Sequence, residues 1–142
     1  MRVKLFPTAA LAAASLALTA CATASQDQEL KGGLFGPALS PGAMNRAIEA
    51  AQAHPLGSEA NPVRSAMPPG ERAYIARLRC SDGNAPEIVS RGSTGVGPFG
   101  NILDNYSVRC VSGTPATASI YMDMYHDHVE TRAVPGFTIV AP

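Results

Sequence analysis

Between residues 61 and 142, apolar side chains recur at every second position in short runs, and Gly, Pro, Ser and Asn cluster between the runs. A period of two is strand geometry, because successive side chains point to opposite faces. Residues 73–80 (AYIARLRC) set Tyr74, Ala76, Leu78 and Cys80 on one side, with Ile75, Arg77 and Arg79 on the other. Residues 105–111 group Tyr106, Val108 and Cys110, and residues 118–125 set Ile120, Met122 and Met124 against Tyr121, Asp123 and Tyr125. Residues 86–91 and 137–140 read as shorter strands, and Ser81-Asp82-Gly83-Asn84 is a turn signal. The pattern predicts a small, mainly antiparallel β-sheet or partial barrel.

One helix precedes the strands. Ser40 suits an N-cap and Pro41 the first helical position. Met44, Ala47, Ile48 and Ala51 follow at helical spacing, and Pro55 stops the helix near Ala53. Its apolar face is mostly Ala, so its packing gain is small. The expected fold class is therefore α+β, with one N-terminal helix and one small domain over residues 40–142. At 142 residues the chain is long enough for one domain only.

The beginning of the chain follows different rules. Arg2 and Lys4 are followed by sixteen uncharged residues, mostly Ala and Leu, at positions 5–20. A membrane-spanning helix needs about 20 apolar residues, so residues 1–20 read as a secretory signal peptide. Leu18-Thr19-Ala20-Cys21 closes it. These four residues resemble the lipobox of bacterial lipoproteins. The resemblance implies that the Cys21 thiol is acylated with diacylglycerol, that the chain is cut before Cys21, and that the new amine takes a further acyl chain, such as palmitate. Two or three acyl chains hold a protein stably at a bilayer, where one holds it only marginally. Ala22 stands where Asp implies inner-membrane retention in lipoproteins of the enterobacterial type, so the implied address is the periplasmic face of the outer membrane. Residues 21–39 then read as a lipidated tether. The remainder resembles small uncharacterised proteobacterial envelope lipoproteins, and that likeness implies no activity and no functional residue beyond Cys21.

With Cys21 given to the lipid, Cys80 and Cys110 remain as an even pair in an oxidising compartment, and a disulfide between them is expected. No CxxC motif points to redox catalysis. Without Arg2 and Lys4, eleven acidic residues face nine basic ones, a net charge of −2. That balance argues against nucleic acid as a partner.

His126, His128 and Glu130 form the strongest metal candidate, because a continuing strand points all three the same way. Two imidazoles and a carboxylate suit zinc or copper. Arg77, Arg79 and Arg109 share the face opposite the cysteines and form a candidate patch for phosphates or carboxylates of lipid or cell wall. Residues 95–100 (GVGPFG) match GxGxxG literally, but a dinucleotide site needs a helix after the glycines, and the residues after Gly100 lead into a strand. No GxSxG elbow is present, Ser93 has no evident base, and Asp104, Asp123 and Asp127 are scattered. The expected function is a membrane-anchored, non-catalytic envelope module without a cofactor, with an envelope protein or cell-wall component as its partner. The alternative is a periplasmic metal-binding protein or small metallohydrolase built on His126, His128 and Glu130.

Overall fold

The computed structural model describes residues 38–142. The signal peptide, Cys21 and nearly all of the tether lie outside the described residues. Helix α1 (Pro41–Ala51) begins where Ser40 and Pro41 place it, and Ser40 Oγ accepts from the Ala43 amide at 3.3 Å. Ala51 is its one buried residue, in keeping with its alanine-rich face.

Strand β1 (Val63–Ala66) leads directly into helix α2 (Met67–Arg77), which ends in the two-residue strand β2 (Leu78–Arg79). Here the alternating reading of residues 73–80 is overturned. Tyr74 and Ile75 are adjacent and are 2% and 1% exposed, which a strand with one solvated face does not allow. Glu71, Tyr74, Ile75 and Leu78 are all buried, at the i, i+3, i+4, i+7 spacing of a helix face. Pro68 and Pro69 sit in the first turn, where a missing amide proton does no harm, and Arg77 in the last turn complements the helix dipole. The described domain thus has two helices where one was expected.

The rest of the chain is strand: β3 (Glu87–Val96), β4 (Ile102–Arg109), β5 (Thr117–Asp123), β6 (Tyr125–Val129) and β7 (Thr138–Ile139). Five strands form one sheet in the order β3-β4-β5-β1-β6, and β2 pairs with β7 in a second, small sheet. Every ladder is antiparallel except β1 with β5, where Val63 faces Met122 and Arg64 faces Asp123. Among the described residues the larger sheet ends on β3 and β6 and is open. Strand β3 is longer than expected, because Gly92 pairs with Asn105 inside the ladder. The GxGxxG match therefore runs from the end of β3 into its hairpin to β4, where Gly97 N–H donates to Asn101 O at 2.8 Å.

The core lies between α2 and one face of the sheet, with Tyr74, Ile75 and Leu78 packed on Val63, Tyr106, Val108, Ile120 and Met122. Cys80 and Cys110 form a disulfide at its end, with Cα atoms 6.0 Å apart. The turn after Cys80 is in place: Gly83 N–H donates to Cys80 O, and Asp82 Oδ1 accepts from the Asn84 amide. No helix among the described residues is long and apolar enough to cross a membrane.

Candidate functional site

Alternation along β6 and into the next residue turns His126, His128 and Glu130 inward, while Tyr125, Asp127 and Val129 are exposed. His126 nevertheless parts from the other two. His126 Nε2 stands 3.2 Å from Asp123 Oδ2, and His128 Nε2 stands 3.7 Å from Glu130 Oε2. Asp123 is already engaged by the Asn101 amide group and the Tyr125 backbone N–H. Glu130 holds Arg132 through both its carboxylate oxygens. Among the described residues no three His, Cys, Asp or Glu side chains come together as a metal set, so the candidate metal centre on His126, His128 and Glu130 is not assembled. The strand period aligned these residues, but each ring turns toward a different carboxylate.

The arginine patch also dissolves. Arg77 closes α2 and donates to the backbone carbonyls of Glu130 at 2.6 Å and Val140 at 3.4 Å. Arg79 folds back on the carbonyls of Ala76 and Leu78. Arg109 pairs with Glu87 across the β3–β4 ladder. The shared face assumed a strand through residues 73–80, and the helix removes it.

Two of the expected residues and one expected arginine do meet elsewhere. A groove of about 520 Å³ runs between α2 and β6, and His128, Glu130 and Arg77 line it together with Arg64, Ser65 and Tyr74. Gly70, Ala73 and Ala76 leave the groove open, because they present little or no side chain on that flank of α2. Ser65 Oγ and His128 Nε2 are both buried without a hydrogen-bond partner among the described residues, so they do not bond each other. Burial, and next the Arg64 guanidinium, lower the His128 pKa and favour the neutral ring. Burial pulls the Glu130 carboxyl upward, but the Arg132 side chain and backbone amide outweigh it and hold Glu130 at about 2.

A second polar cluster lies toward β3 and was not legible as a unit. Glu71 on α2 is fully buried, and its Oε2 accepts from the Tyr106 hydroxyl at 2.9 Å. Arg91 bonds Asp104 and reaches to 3.7 Å from Glu71, and Ser93 Oγ donates to Asp104 at 3.1 Å. Burial, and to a lesser degree Asp104, raise the Glu71 pKa to about 7 against the lowering effects of Tyr106 and Arg91. Two carboxylates share one guanidinium here, which favours a proton on the more buried one. Glu71 and Asp104 are 0% and 4% exposed, so neither touches solvent enough to meet a substrate. The available signal was the helical spacing of Glu71, Tyr74, Ile75 and Leu78, which sets a carboxylate on an apolar stripe.

No family model, no curated protein and no solved structure matches the chain.

Proposed function

We propose that the chain is an exported lipoprotein, held at the periplasmic face of the outer membrane by acyl chains on Cys21, and that its folded part is a non-catalytic binding module. The disulfide between Cys80 and Cys110 carries this reading. A disulfide in a domain core fits an oxidising compartment, and it consumes both cysteines other than Cys21. Cys21 is then the thiol left for acylation, at the end of a charge-poor leader. Support for binding over catalysis comes from the polar groups themselves. Ser65 and His128 share a groove without bonding each other, and Glu71 and Asp104 are shut away from solvent.

The test is metabolic labelling with an alkyne fatty acid. The protein is expected to carry the label, and Cys21→Ser is expected to abolish it and move the protein into the soluble periplasmic fraction. Label that survives the substitution ends the proposal.

A further inference from the structure

The groove between α2 and β6 has an unusual wall and an unusual edge. On α2 it is lined by Gly70, Ala73 and Ala76, which leave room for small side chains, and by Tyr74 and Arg77. Its volume of about 520 Å³ lies in the range of sites that enclose small ligands or a few residues of peptide. Strand β6 borders it and is the last strand of the sheet, with its outer backbone edge unpaired among the described residues. Tyr125 and Val129, on the exposed face of β6, are 52% and 59% exposed. The strand reads YHDHV, with exposed Asp127 between its two histidines, so what it offers another strand is the row of backbone groups on its outer edge.

The charges around the groove are one-sided. Glu130 is neutralised by Arg132. Arg77 spends its hydrogen bonds on two backbone carbonyls and has no ion-pair partner among the described residues. Arg64 has no ion-pair partner among the described residues, and its guanidinium acts on the His128 ring. Ser65 Oγ and His128 Nε2 lie within the walls without hydrogen bonds, a deficit of a kind that ordinarily has a cause in water, an ion or a ligand. An anion at the groove would meet the two cations and two groups without a hydrogen bond, beside a Glu130 carboxylate that stands 3.7 Å from His128 Nε2 and is held by Arg132.

We infer that the groove between α2 and β6 binds the C-terminal end of an extended peptide, which adds as a strand to β6, places small apolar side chains against Gly70, Ala73 and Ala76, and sets its free carboxylate among Arg64, Arg77 and His128. Strand addition supplies sequence-independent affinity, and the pockets and the carboxylate site supply selection. This names the partner chemistry of the binding module proposed above and rests on that reading. The two fail separately, because fatty-acid labelling at Cys21 does not depend on peptide binding.

The experiment uses the full chain, purified in detergent, on an array of seven-residue peptides anchored at their N-termini. The last three positions are varied over Gly, Ala, Ser and Val. Each peptide is present as the free carboxylate, as the C-terminal amide, and with its penultimate amide N-methylated. Binding to a subset of the free-carboxylate peptides is expected, at least tenfold weaker for the amides and for the N-methylated forms. Arg64→Gln is expected to reduce binding about tenfold. Ser65→Ala is expected to reduce binding while leaving the melting temperature unchanged or raised, since it removes a hydroxyl that has no partner in the free protein. Equal binding of acids and amides, insensitivity to N-methylation, or no binding anywhere on the array overturns the inference.

Discussion

The Tyr106 hydroxyl on β4 donates to Glu71 Oε2 on α2 at 2.9 Å, and this bond fastens the second helix to the sheet from inside the core. Burial holds the Glu71 pKa near 7, well above its ordinary 4.5. A carboxyl with a raised folded-state pKa keeps its proton better when folded than when unfolded. The stability it contributes is therefore whole below about pH 4.5 and is lost as the pH rises through about 7. The expected loss across that window is up to about 3 kcal/mol. Urea unfolding at pH 5, 6, 7 and 8 measures it. Glu71→Gln keeps an acceptor for Tyr106 and removes the proton, so it is expected to flatten this dependence and to be the more stable protein at pH 8. An unchanged slope in the variant would assign the effect to another group.

Glu130 behaves with the opposite sign. It is 4% exposed and its pKa is held at about 2, chiefly because the Arg132 bonds outweigh its burial. A depressed folded-state pKa contributes stability above about pH 4.5 that is lost as the pH falls through about 2. Arg132→Ala removes the bidentate partner and leaves a buried carboxylate with only backbone donors. The expected cost at pH 7 is about 2 kcal/mol, and acid unfolding is expected to begin at a higher pH. Circular dichroism followed down a pH series checks both.

The disulfide closes a loop with a sequence separation of 30 and joins the end of β2 to the end of β4. In the chain-entropy account a loop of this length contributes roughly 3–4 kcal/mol. The Cys80→Ala/Cys110→Ala double variant is expected to lose about that much in urea unfolding, a large share of what a small domain has. Intact protein is expected to gain 2 Da in mass on reduction, about the mass of two hydrogens. No mass change would leave the pair as free thiols.

What the sequence showed clearly was whatever depends on one local signal. Ser40 and Pro41 mark the start of α1, and the turn after Cys80 follows from Asp82 and Gly83. The strands around Tyr106 and Ile120 follow from period-two burial. Residues 73–77 failed because their pattern suits two periods at once. Tyr74 and Leu78 fall on one face in either geometry, and only the burial of Ile75 and Glu71 separates helix from strand. The candidate sites failed for a related reason. A strand period says that His126, His128 and Glu130 share a side, but the choice between Asp123 and a common metal belongs to tertiary neighbours. The groove was beyond reach because one of its walls is α2, and the alternation of residues 73–80 suits a strand there.

Two glycines separate backbone strain from packing. Gly57 and Gly83 have φ of +84° and +81°, a region that costs an ordinary residue about 1–2 kcal/mol. A methyl group at Gly83 meets nothing within 4 Å, so Gly83→Ala is expected to lose only the backbone term, about 1 kcal/mol. At Gly57 the same methyl lands 2.5 Å from Val134 Cγ1 and 3.5 Å from Ile120 Cγ2, both on core residues. Overpacking adds about 1–3 kcal/mol to the backbone term, so Gly57→Ala is expected to lose about 2–4 kcal/mol in all. The double variant Gly57→Ala/Val134→Ala tests the cause. Truncating Val134 clears the clash, so it is expected to lose less than the sum of the two single variants. A strictly additive result would place the whole Gly57 effect in the backbone and none of it in the contact with Val134.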